Sequence, residues 1–269
     1  MKLKKVLFIS QEIHPYVPET PMSLLCSRLP QAIKERGAEV RTFIPLYGMI
    51  NERRNQIHET IRMTGLNIVI NDSDHPLIIK AATLQPARIP VYFIFNDDFF
   101  THTLDKTLEI HSHAEDNDER SIFYVRGAIE AVRKQRWNPD IIQCSGWISA
   151  LAPLYMREMY AEDPSFRDAK IVYALFDDYF EQPLDPLMAN KIQQDGIAAK
   201  CLTAIDGKPV DYLSLTRLAL QYSDAVMQCS PEVKPEVLDL VRESGLPFLP
   251  FDENDPATGR YGDFFESLG

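Results

Sequence analysis

Lys4–Gly48 reads KKVLFISQEIHPYVPETPMSLLCSRLPQAIKERGAEVRTFIPLYG, and this stretch decides the fold. Val6-Leu7-Phe8-Ile9 is a short continuous apolar run, as expected for a strand buried on both faces of a parallel sheet. A loop follows. Met22, Leu25, Leu29 and Ile33 then recur at helical spacing, and Gly37 supplies a stop. Val40-Arg41-Thr42-Phe43-Ile44 is the next strand, so the stretch is a β-α-β unit. In nucleotide-using proteins the first such loop is usually glycine-rich, because backbone N–H groups must approach phosphate closely. This loop carries Pro18 and Pro21 and has neither glycine nor lysine.

The same alternation continues along the chain. Glu119–Arg136 has helical spacing, with Asp116 or Asp118 as its N-cap. Asp140–Cys144, Lys170–Leu175 and Ala225–Cys229 read as buried strands, and Trp147–Met159 and Pro209–Tyr222 as helices. Ser230-Pro231-Glu232 has the form of an N-cap with proline at N1, opening a last helix to Glu243. Residues 57–95 carry β-favouring runs broken at Asn71–Pro76, and predict a small set of antiparallel or edge strands inserted into the frame. Residues 1–244 are thus expected to form one α/β domain, with 245–269 as a tail or docking arm. Strand ends then place Ser10–Tyr16, Asn96–Asp98, Cys144–Ser149 and Phe176–Glu181 on one rim, where such folds bind ligands.

Composition narrows the partners. The 269 residues are 45% hydrophobic, enough for a sizeable core, and the formal net charge is -11. A chain this acidic has no electrostatic footprint for nucleic acid or an anionic membrane. Four dispersed cysteines without C-x-x-C fit reduced, buried thiols. No apolar run is long enough to span a bilayer or to form a signal segment. A soluble, cytoplasmic protein is expected.

The rim segments carry a resemblance to the N-terminal half of bacterial glycogen/starch synthases. Val6–Gly48 aligns without a gap to that family's opening, with Ser10, Glu12, Pro15, Pro30, Gly37 and Tyr47 in step. Pro90–Asp97 resembles the family's IPVYFIDND, Asp116–Arg120 its DNAER, and Pro139–Tyr155 its PDIIHCHDWHTALVPLY. The resemblance implies a GT-B-like, Rossmann-type three-layer domain with a mainly parallel sheet. It also implies a retaining transfer of glucose from ADP-glucose to an α-1,4-glucan.

Departures fall where that chemistry sits. The family's K-T-G-G-L loop approaches the nucleotide diphosphate; its lysine aligns with Pro18, and its glycines with Thr20 and Pro21. The H-D-W-H stretch aligns with Ser145, Gly146, Trp147 and Ile148, and T-I-H-N with Ala174, Leu175, Phe176 and Asp177, so both histidines are lost. The family's second domain, which supplies most of the donor site, has no counterpart in these residues.

Glu12, Tyr16, Trp147 and Asp177 remain as candidate glucan contacts, since aromatic faces pack on sugars and carboxylates bind hydroxyls. Each also has a structural reading. Trp147 can pack a helix start, Glu12 can cap a neighbour and Tyr16 can staple the loop. The pairs Asp97-Asp98 and Asp177-Asp178 suit caps and turns better than a cation site or acid–base work. His111-Ser112-His113 lies in an acidic loop without cysteine and suits a solvated segment better than zinc. The Glu115–Arg120 charge run is expected to complement a helix dipole. No metal or cofactor is expected.

The leading expectation is a synthase-like, glucan-binding or regulatory module without independent catalysis, pairing with itself or with a full-length synthase. An active half that needs a separate donor domain, and a purely structural protein, are the alternatives.

Overall fold

The computed structural model describes residues 3–63, 65–101, 107–112, 114–253 and 259–269. Its elements run β1 (Lys5–Ser10), α1 (Pro21–Glu35), β2 (Glu39–Pro45), β3 (His58–Glu59), β4 (Leu66–Ile70), β5 (Ser73–Leu84) and β6 (Ile89–Phe95). Then come α2 (Glu109–Ser112), α3 (Asn117–Lys134), β7 (Ile141–Ser145), α4 (Ala152–Glu158), β8 (Lys170–Leu175) and α5 (Met188–Gln194). The chain closes with α6 (Tyr212–Gln221), β9 (Ala225–Gln228), α7 (Pro235–Ser244), β10 (Phe248–Leu249) and α8 (Gly259–Ser267).

The sheet has the order β10-β9-β8-β7-β1-β2-β6-β5-β3, with β4 also paired to β5. From β10 to β6 every pairing is parallel, and β1 sits between β2 and β7 with Val6 opposite both Val40 and Ile141. Val6 through Ile9 are buried, as their continuous apolar pattern requires. β3, β4 and β5 add the antiparallel extension. Helices α1 and α8 touch on one side of the sheet, while α3, α4, α6 and α7 pack in succession on the other, giving three layers. Gly127 permits the close seat of α3 on β6: a Cβ there would lie 2.8 Å from Ile94 Cγ2. Among the described residues no helix is long and apolar enough to cross a membrane.

Several boundaries differ from the sequence expectation. The hairpin turn is only Asn71–Asp72, with φ of 50° and 60°, so Ser73–Pro76 belongs to β5. Trp147–Ser149 is a 3-10 turn, and the helix proper begins at Ala152 with Pro153 in its first turn. Helix α7 opens at Pro235, not Pro231; Ser230 Oγ instead accepts the Glu232 N–H in a local turn. Asp116 is the α3 N-cap residue but makes no side-chain cap bond.

Residues 245–253 and 259–269 return to the domain. Phe248–Leu249 pairs with β9, and α8 buries Phe265 near Phe8, their rings 6.5 Å apart. Arg36 holds this arm, donating to Gly259 O (2.9 Å), Asp263 Oδ1 (2.5 Å) and Glu266 Oε1 (3.2 Å).

Candidate functional site

Strand order reverses between β1 and β7, and doubly wound sheets bind ligands in the crevice at such a reversal. Here Gln11 fills it. Its N–H donates to Ser145 O (2.9 Å), and its Oε1 accepts the Ile148 N–H (3.3 Å). Gly146 runs directly against it at φ +84°, where a Cβ would lie 2.5 Å from Gln11 Cβ. Ser145, Ile148 and Phe176, the positions where the resemblance expects histidine, are buried.

The start of α1 is closed as well. Thr20 Oγ1 accepts the Ser23 N–H (2.9 Å), while Ser23 Oγ accepts the Thr20 N–H (2.9 Å), a reciprocal capping box. Pro21 at N1 has no N–H to offer. Pro18 O accepts the Ser23 hydroxyl (2.9 Å). The buried Glu12 carboxylate accepts the Thr20 hydroxyl proton, which sets a negative charge at the positive end of the helix. An incoming phosphate would therefore meet a carboxylate in place of free donors.

The candidate glucan contacts separate. Tyr16 is buried edge-on to Phe93, centroids 4.9 Å apart, and burial pushes its phenol up to about 12. Trp147 is 1% exposed. For both residues, burial supports packing over sugar stacking. Asp177 is exposed on the rim, and Glu12 borders a recess of about 230 Å³ with Val17, Pro18, Thr20, Leu108 and His111. His111 also borders a larger groove of about 520 Å³, lined by Glu115, Asn117, Tyr179, Phe180 and Gln182.

An aromatic wall supports that groove. Phe180 meets Trp147 (5.1 Å) and Tyr212 (5.7 Å), and Tyr212 meets Tyr179 (4.7 Å). Behind it sits Asp178, whose Oδ2 accepts the Trp147 N–H (2.6 Å) and Oδ1 the Tyr212 hydroxyl (3.0 Å). Burial pushes this carboxyl up to about 6, against the two donated bonds, and Glu12 adds repulsion.

The other acidic pair behaves as a turn: Asp98 Oδ2 lies 3.0 Å from His75 Nδ1, and Asn96 Oδ1 accepts the Asp98 N–H. His113 lies outside the described residues. Among those described, no cluster of three His, Cys, Asp or Glu side chains could hold a metal ion.

A profile of the starch synthase catalytic domain matches residues 5–247. The chain belongs to this family. It is 28% identical over 243 residues to a glycogen synthase of Chlorobaculum parvum, covering 87% of this chain and 47% of that one. A glycogen synthase of Pelodictyon phaeoclathratiforme is 32% identical over 186 residues, 69% of this chain and 38% of that one. The catalytic domain of starch synthase IV from Arabidopsis thaliana, bound to ADP and acarbose, shares the fold. The TM-score is 0.71 at 18% identity, covering 93% of this chain and 51% of that one. The chain spans about half the length of the curated relatives it matches.

Within this starch synthase domain, sequence reading put Phe176–Glu181 on the rim without singling out Tyr179 or Phe180, and missed Tyr212. The first two follow Asp177-Asp178 at a strand end, which was the available signal. The Glu115–Arg120 run also does more than complement a dipole. Asp118 and Glu119 flank the buried Lys191 Nζ at 2.6 and 2.8 Å, with Asp185 at 3.0 Å. Arg120 is buried and donates to Phe99 O (2.8 Å). The motif ties α3 to α5 and to the loop after β6.

Proposed function

We propose that this starch synthase family domain binds an α-1,4-glucan in the groove beneath Tyr179 and Phe180 and does not by itself hold the diphosphate of ADP-glucose. In this reading it is a glucan-binding or regulatory module of glycogen metabolism that acts beside itself or a full-length synthase. The observation that carries it is the start of α1, where the capping box, Pro21 and the Glu12 carboxylate take the place of a phosphate cradle. Retaining transfer requires stabilisation of a leaving diphosphate, and this loop carries neither lysine nor glycine and sets the Glu12 carboxylate where the diphosphate would lie. A polar groove bounded by aromatic edges, with Glu115 and Gln182 able to meet hydroxyls, has the chemistry of a carbohydrate site. Asp177 and Glu12 extend that polar surface along the rim. The ADP and acarbose bound by the Arabidopsis domain support sugar and nucleotide as the ligands to test.

Calorimetry with maltoheptaose and, separately, ADP-glucose tests the proposal. Binding of the glucan without the nucleotide sugar, and no glucose incorporation, is the expected result. Binding of ADP-glucose would overturn it and restore a catalytic half that works with a donor domain. Silence with both ligands would favour the scaffold reading, which the filled crevice at Gln11 supports.

A further inference from the structure

We propose that Asp178 is the positioning group of the groove's aromatic wall, and that its ionisation sets how tightly the groove holds a sugar chain. The inference rests on the groove being a carbohydrate site. Asp178 is not among the residues that line the groove. It acts through two neighbours: the Trp147 backbone, whose ring carries Phe180, and the Tyr212 hydroxyl, whose ring carries both Tyr179 and Phe180. One carboxylate thus pins the wall at two points, its Trp147 end and the central Tyr212.

As an anion it accepts two charge-assisted hydrogen bonds, roughly twice as strong as neutral ones. Once protonated it must donate a proton as well. The Trp147 N–H can only donate, so the new proton has to face the Tyr212 oxygen, and the Tyr212 hydrogen must turn elsewhere. The Asp178–Tyr212 bond then reverses its direction and becomes neutral, so the tyrosine ring is held less firmly.

The groups facing Asp178 are Glu12 from the loop after β1, Cys26 from α1, Tyr173 from β8, Tyr212 from α6 and Tyr179 from its own loop. Lys234, at the start of α7, stacks on the Tyr179 ring at 4.1 Å. Of the acidic groups facing it, Glu12 repels the anion. Burial is the larger cause that lifts this carboxyl into the range where cells and buffers can titrate it.

The test is maltoheptaose affinity from pH 5 to pH 8 in the full chain, with Asp178→Asn and Tyr212→Phe beside it. The wild type should bind roughly threefold or more weakly at pH 5 than at pH 7.5, as charge-assisted bonds become neutral. Asp178→Asn should be flat across the range, since its amide accepts from Trp147 and donates to Tyr212 at every pH. Tyr212→Phe should bind more weakly than wild type at pH 7.5. A flat wild-type profile, or a pH step that survives Asp178→Asn, overturns the proposal. A sugar-free readout separates it from the glucan reading. In a Trp137→Phe background, Trp147 fluorescence should step near pH 6 and lose the step in Asp178→Asn. A fluorescence step without sugar binding at any pH would sink the glucan reading and support Asp178 as the wall's positioning group.

Discussion

Gly146→Ala is the sharpest probe of the filled crevice. Gly146 sits at φ +84° and ψ 157°, a region open to glycine alone, so a side chain there costs roughly 1–3 kcal/mol in backbone strain. The new Cβ would also lie 2.5 Å from Gln11 Cβ and 2.6 Å from its Oε1. Forcing Gln11 aside adds roughly 1–3 kcal/mol of overpacking. It also breaks the Oε1 bond to the Ile148 N–H, worth about 0.5–1.5 kcal/mol. The sum is roughly 2.5–7.5 kcal/mol, or about 5–30 °C in Tm for a chain of this size. Urea and thermal unfolding of the single variant measure it. Gln11→Gly supplies the second arm of a double-mutant cycle: with no Cβ at residue 11, Gly146→Ala should cost only the backbone part, roughly 1–3 kcal/mol. A single variant within about 1 kcal/mol of wild type would refute the reasoning. The crevice would then be free of Gln11, and ligand exclusion there would lose its physical basis.

Three further outcomes follow from the structure. Asp178→Asn should raise stability at pH 8 by about 3 kcal/mol, because a folded-state carboxyl near 6 against an ordinary 3.8 means the anion is penalised. In the wild type this stability is fully present below pH 3.8 and lost as pH rises through about 6, so unfolding scans should show a slope that the variant lacks. Lys191→Met should cost roughly 3–5 kcal/mol at pH 7.5 by leaving the Asp118 carboxylate buried without its cation. Part of that loss should return at pH 5 as Asp118, already raised by burial, takes a proton. Phe265→Ala should cost roughly 3–5 kcal/mol, whereas Arg36→Ala, whose partners are largely exposed, should cost under about 1 kcal/mol. Equal effects in denaturant titrations would contradict a core-bound α8.

What could be read in advance depends on how local the determinants are. The sheet frame was legible because Val6–Ile9 and Ile171–Leu175 are buried and apolar without interruption, and Ile141–Cys144 is broken by Gln143 alone. Helix starts were less so: Ser230-Pro231 offers the stronger local signal, yet the helix opens at Lys234-Pro235, where Val237, Leu240 and Val241 are buried and the lysine makes no cap bond. Trp147 shows why the site resisted sequence reading. Its family position invited a sugar-stacking role, yet its ring is buried against Phe180 and its N–H is taken by Asp178, which lie 33 and 31 residues further on. Lys191 meets Asp118 across 73 residues, a pairing that no charge pattern in the Glu115–Arg120 run discloses. The loop after β1 is the intermediate case. Losing glycines to Thr20 and Pro21 signals a missing phosphate cradle, but a missing cradle leaves open what replaces it. The replacement is a closed set of local bonds: Thr20 to Ser23, Ser23 to Pro18, and Glu12 to Thr20. The Thr20 and Ser23 N–H groups each have an internal partner and Pro21 has no N–H to give, which leaves the loop well satisfied by its own bonds. In the proposed reading, nucleotide binding would require removing the Glu12 charge and the Thr20 cap as well as adding glycine, and Pro21→Gly alone should leave ADP-glucose binding undetected by calorimetry.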